Sequence, residues 1–173
     1  DAPPGNVKLA DAARLADLPA VRRAVPVSLG DSLDGWRILG ASSDIYALYR
    51  ATPAQGRLPD ASMEAVAGAA AAEALGLTVG TTFAGSHGLD GGGEVHDDAP
   101  YTLVGVLAPT GTALDRTIIT PLESVWDVHG AHDHAHGDER DHDHNGESHE
   151  PSGREPGRDE TTLILIQTRS PIA

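Results

Sequence analysis

The chain has 173 residues, a formal charge of −14, one Phe, two Trp, three Tyr and no cysteine. Such a charge repels phosphate backbones and anionic headgroups, which disfavours nucleic-acid binding and polybasic membrane attachment and leaves cations as the favoured small partners. Without cysteine there are no disulfides or thiolate metal sites, so imidazole and carboxylate are the strong ligands that remain.

The length fits one domain, or a domain with a small lobe. With so few aromatic residues, its core must be built from Ala, Val, Leu and Ile, which points to a light, sheet-based interior. The sequence opens on Asp1 without a basic and apolar leader and reads as a piece cut from a longer protein. Its best apolar run, Ala65 to Ala72, is broken by Gly68 and falls short of the roughly 20 residues that span a bilayer.

In chain order, Asn6 as a cap, apolar Leu9, Ala12, Ala13 and Ala16, and Pro19 just beyond predict a first helix. Val21, Val25 and Val27 on odd positions predict a half-buried strand, placed at an edge or bulge by Pro26. "GWRILGAS" reads as a second strand. "DIYALYR" reads as two helical turns with Ile45, Leu48 and Tyr49 on one side, and "ATPAQGRLPD" as turn material.

The next stretch divides into a strand at Glu64 to Ala67, a helix through Leu75, a stop at Gly76 and a strand near Thr81 to Phe83. "GSHGLDGGGEVHDDAP" is a glycine-rich loop. Strands "YTLVGVLA" and "RTIIT" follow, joined by "PTGTALD" as a tight reversal. Thr120 as a cap, Pro121 at the first helical position and Glu123 reaching back predict a capping box and a helix that runs out at His129 and Gly130. "TTLILIQT" closes the chain as a β-rich run.

Between that helix and that run, residues 130 to 160 hold ten Asp/Glu against three Arg, half of the chain's net negative charge. About 30 residues without periodicity imply a functional or disordered insertion. The expected division is therefore a core of residues 1–129 and 161–173 and a flexible His/Asp/Glu-rich loop of residues 130–160.

Seven of the nine histidines, His129, His132, His134, His136, His142, His144 and His149, lie in or beside this insertion. Spacing of two puts imidazoles on one side of an extended segment, and a flexible loop can gather several around one ion. Without sulfur, the donor set suits Zn²⁺ first, then Ni²⁺ or Cu²⁺. Nothing fixes these ligands in advance, so the binding expected is exchangeable and fades as imidazoles protonate near pH 6. A solvated spacer with histidine as polar filler is the competing reading.

"DHDHNG" at Asp141 to Gly146 copies the opening of a calcium loop, but its twelfth position is Ser152 rather than a bidentate Glu. His87 and His96 flank the glycine-rich tip and could form a second site or belong to an ordinary surface loop. "GLDGGG" lacks the strand, helix and Lys-Ser/Thr of a phosphate cradle. Ser28, Ser32 and Ser86 lack a nucleophile elbow, and no carboxylate pair stands isolated in an apolar setting, so no enzymatic role is expected.

Three stretches resemble the extracytoplasmic domain of permease subunits in the MacB and FtsX-like family of ABC transporters. They are "DAPPGNVKLADAARLADLPAVRRAVPVSLG", "EAVAGAAAAEALGLTVGTTF" and "YTLVGVLAPTGTALDRTIITPLESVWDVHG". The resemblance implies an α+β fold, a mixed β-sheet with packed helices in a porter-like lobe plus a smaller β-rich lobe, between two membrane helices on the periplasmic side of the bacterial inner membrane. It further implies a cytoplasmic ABC ATPase as partner, a dimeric permease, and a domain that couples ATP-driven motion to a periplasmic substrate, metal-binding protein or adaptor. The histidine-rich insertion looks like a branch of these permeases linked to zinc. The alternative is a metal-independent domain that docks a lipoprotein, peptide or adaptor, with the insertion as a solvated spacer.

Overall fold

The computed structural model describes residues 6–86, 99–133 and 159–169, with only the backbone described for 129–133. In chain order the elements are β1 (Val7–Lys8), α1 (Leu9–Ala16), β2 (Val21–Leu33), β3 (Trp36–Ala41), α2 (Asp44–Tyr49), β4 (Pro53–Gly56), β5 (Glu64–Ala67) and α3 (Ala69–Leu75). There follow β6 (Thr82–Phe83), β7 (Tyr101–Leu107), a 3₁₀ turn (Ala113–Arg116), β8 (Ile118–Pro121), α4 (Leu122–Asp133), β9 (Glu160–Thr161) and β10 (Leu163–Thr168).

Eight strands form one sheet in the order β10-β2-β3-β8-β5-β7-β4, with β6 also paired to β7; β1 and β9 form a separate two-stranded sheet. The β3–β8 and β5–β7 pairs are parallel and the rest antiparallel, which makes the fold α+β with a mixed sheet.

Side-chain alternation builds the core on both faces. Ile38, Ala65, Ala67, Leu103 and Ile118 pack on one face with Ala72, Leu77 and Val128. On the other, Val25, Val27, Val66 and Ile119 pack with Ile45 and Tyr46 of α2. Neighbours in sequence thus serve opposite faces, which is why β5 and β8 read as continuous apolar runs. On the first face α4 comes so close to the sheet that only glycine fits beneath it, since a Cβ on Gly40 would lie 2.5 Å from Val125 Cγ2.

The strand, helix and stop expected from Glu64 to Gly76 are present, Gly76 taking the left-handed conformation (φ 62°) that ends α3. Other expectations change. Asn6 does not cap α1, because Val7 and Lys8 pair with Thr161 and Glu160 and the first helical amide, Leu9 N–H, donates to the Asp159 carbonyl at 2.8 Å. In α2, Tyr46 joins Ile45 as a buried residue while Leu48 and Tyr49 are half-buried.

Pro26 sits in an interior strand, not at an edge. In an antiparallel strand a residue's N and O point to the same neighbour. The Pro26 carbonyl accepts from Ser42 N, just past the end of β3, so its missing N–H removes no bond from the β10 ladder. Part of the expected turn "ATPAQGRLPD" is the exposed strand β4.

β7 and β8 are not a hairpin, because β5 lies between them. The connection is instead organised by Asp115, whose carboxylate accepts from the Thr110 and Gly111 amides, each at 2.8 Å. Thr120 belongs to β8 rather than capping α4, and α4 continues past Gly130 to Asp133.

Candidate functional site

Of the histidines expected as ligands, His129 and His132 fall on α4; His134, His136, His142, His144 and His149 lie outside the described residues, as do His87 and His96. Because α4 runs on to Asp133, His132 is on helical rather than extended backbone, one turn from His129. Among the side chains the structure describes, no three His, Asp or Glu converge in a way that could hold a metal ion. What is described is the frame from which the histidine-rich segment leaves and to which it returns.

The frame closes on a hydrogen bond. Trp126 of α4 donates its indole N–H to the Glu160 carbonyl of β9 at 3.1 Å, so the two flanks of the segment meet across 34 positions of sequence. β9 is fixed by further contacts. It pairs with β1, the Thr161 hydroxyl lies 3.4 Å from Ser28 Oγ, and Leu29 N–H donates to Thr162 Oγ1 at 3.1 Å. Thr161 is buried.

The first turns of α4 are fixed by a chain of polar contacts. Met63 N–H donates to Ser124 Oγ at 2.9 Å, the Ser124 and Thr120 hydroxyls are 2.7 Å apart, and Thr120 Oγ1 lies 2.8 Å from the Glu64 carbonyl. The Thr120 hydroxyl is the donor in both of its contacts, turning its single proton toward the Glu64 carbonyl and Ser124 Oγ. Ser62 adds a bond to Asp127 Oδ2 at 2.5 Å. The first two turns of the helix are therefore held at a fixed place.

Beside this relay the Glu64 carboxylate binds the Arg57 guanidinium and the Asp60 and Ala61 amides. The hydrogen bond from Arg57 is the chief reason that Glu64 is held down to about 2, with the Asp60 amide next. Asp115 is lowered chiefly by the Thr110 amide. Burial raises Tyr46 and Tyr101 far above the usual tyrosine value, Tyr101 with help from Asp31. These groups pin loops and fill the core, and none forms an acid and base pair around a cleft. Trp126 and Ser124 were invisible to motif reasoning, and Thr120 entered it only as a helix cap. Only the helical spacing of Thr120 and Ser124, four apart, could have linked them.

No helix of the described residues is long and apolar enough to cross a membrane. The sequence matches the family model described as the MacB-like periplasmic core domain over residues 2–172. No curated protein matches it. Among solved structures it is similar to the periplasmic region of MacB from Actinobacillus actinomycetemcomitans, with a TM-score of 0.58 at 14% identity, covering 97% of this chain and 67% of that one. It is also similar to the extracellular domain of the noncanonic ABC-type transporter YknZ from Gram-positive bacteria, with a TM-score of 0.58 at 13% identity, covering 98% of this chain and 76% of that one. Likeness at such low identity shows the fold.

Proposed function

The chain belongs to the MacB-like periplasmic core domain family, as a periplasmic domain of an inner-membrane ABC-type transporter permease, and we propose that its histidine-rich segment captures a divalent metal ion, zinc first. The observation that carries this reading is the placement of seven of nine histidines in or beside a segment whose two flanks are joined at Trp126 and Glu160. A metal caught there acts on two elements of the main fold, α4 and β9, rather than on a free tail.

His129 and His132 start the ligand set on α4, and His134, His136, His142, His144 and His149 continue it along the sequence. The lack of cysteine leaves an imidazole and carboxylate donor set, which suits Zn²⁺ ahead of Ni²⁺ or Cu²⁺. Such ligands bind as neutral imidazoles, so affinity is held at neutral pH and falls as pH drops through the histidine range near 6.5. The role is capture and mechanical coupling, not chemistry. A cytoplasmic ATPase drives the permease, which works as a pair, and motion reaches a periplasmic substrate or adaptor through this domain.

Calorimetric titration with zinc tests the reading on the chain and on a variant lacking residues 134–158. That deletion spares α4 and β9, which a cut from 130 to 160 would damage. Micromolar uptake by the full chain, lost in the variant, is expected; equal affinity in both removes the segment from the account.

A further inference from the structure

The two outer strands of the large sheet are built differently. β4 begins at Pro53, carries a bulge between Pro53 and Gln55, and ends at Gly56 with φ 67°. Proline, bulges and glycine all discourage further pairing at an edge. β10 has no proline or glycine, and its pairing with β2 shifts register only at its last step, between Gln167 and Thr168. "LILIQT" holds no charge, proline or glycine, pairs with β2 on one side, and among the described residues has no strand on the other. Leu163 and Leu165 pack toward the core, whereas Ile166 is 48% exposed.

Charge is graded along this edge. Near its carboxyl end are Arg22, Arg23 and Arg169, and near its amino end Asp159 and Glu160. Arg23 lies 4.0 Å from Asp44, and Glu160 stands opposite Lys8 on β1. Two positive charges, Arg22 and Arg169, then remain at one end and one negative charge, Asp159, at the other. An antiparallel copy of the same strand sets each basic end against an acidic end, whereas a parallel copy sets Arg169 against Arg169. On a chain of charge −14, whose surface otherwise repels its like, this uncharged strand with opposite ends is where a second copy meets attraction.

We infer that β10 seats a second copy of this chain, paired antiparallel about a two-fold axis so that the eight-stranded sheet continues from one copy into the other. The inference rests on the reading that the permease works as a pair, and it names the surface on which the two domains meet. Six residues of edge bury little area, so association in solution is weak, on the order of 0.1–1 mM, and becomes effective where a membrane holds two copies together.

Sedimentation equilibrium of the chain up to about 1 mM, covering that range, tests this alongside Ile166→Lys and Arg22→Glu, both at exposed positions. A dimer that forms with rising concentration, disappears in Ile166→Lys and weakens in Arg22→Glu and in added salt is expected. Hydrogen exchange should then show β10 amides gaining protection in the dimer. A chain that stays monomeric, a dimer that Ile166→Lys leaves intact, or β10 amides protected only when a different peptide is added would overturn it. Cross-linking of the full permease separates the two levels: a parent chain that stays monomeric while the full permease still cross-links as a pair removes this surface and leaves the paired reading standing, whereas a permease that does not pair removes both.

Discussion

The hydroxyls of Thr120 and Ser124 lie 2.7 Å apart and fasten the end of β8 to the first turn of α4. Both are buried, and between them they satisfy the Met63 amide and the Glu64 carbonyl. Replacing Ser124 with Ala strips a partner from Met63 N–H and from Thr120 at once, and is expected to cost about 1–3 kcal/mol. Urea unfolding measures it, and an unchanged midpoint would contradict the relay.

Close approach of α4 to the sheet predicts a steric effect at Gly40. In Gly40→Ala the new methyl meets Val125 Cγ2 at 2.5 Å and the Leu122 backbone at 3.4 Å, so destabilisation of about 1–3 kcal/mol is expected. Adding Val125→Ala clears the first clash. The double variant should recover part of the loss, and strictly additive losses would show that the helix does not sit where it is described.

Acid should weaken the loop before β5. Glu64 has a folded value depressed to about 2 from an ordinary 4.5, chiefly by Arg57. A carboxylate of this kind stabilises the fold above its unfolded value, and that contribution is lost as pH falls from about 4.5 toward 2. Thermal melts across this window should fall less steeply for Glu64→Gln than for the parent chain. The difference is small, because the Arg57 side chain is half exposed, and identical slopes would show that the pair contributes nothing.

Trp126→Phe removes the indole donor and leaves the ring. Loss of its bond to the Glu160 carbonyl should cost about 0.5–1.5 kcal/mol and loosen the junction of β1 and β9. Hydrogen exchange at Leu9, whose amide bonds to Asp159 next door, reads that loosening directly.

Local signals carried much of the fold. The glycines at 68 and 76 bracket α3 and could be read without a structure. So could the alternation of Val21, Val25 and Val27, all buried. Asp34 and Gly35, at φ 47° and 79°, form the two-residue turn between β2 and β3, a hairpin signal present in the sequence that the strand-by-strand reading passed over. Non-local pairing was hidden. Nothing near Leu107 or Ile118 says that β5 enters between β7 and β8, because that choice is made by which faces can be covered. Pro26 misled for the same reason, since its tolerance depends on where β3 happens to end. At the candidate site the ligand types were plain in the sequence. The Trp126 to Glu160 junction was not, as it joins residues 34 apart through one backbone carbonyl.

Zinc titration of the chain at pH 7.5 and pH 5.5, by calorimetry, bears most directly on the proposed role. Uptake at the higher pH that collapses at the lower, and that disappears without residues 134–158, is the predicted result. An absence of heat at pH 7.5 with zinc, nickel and copper alike would contradict it, leaving a MacB-like periplasmic domain with a charged spacer.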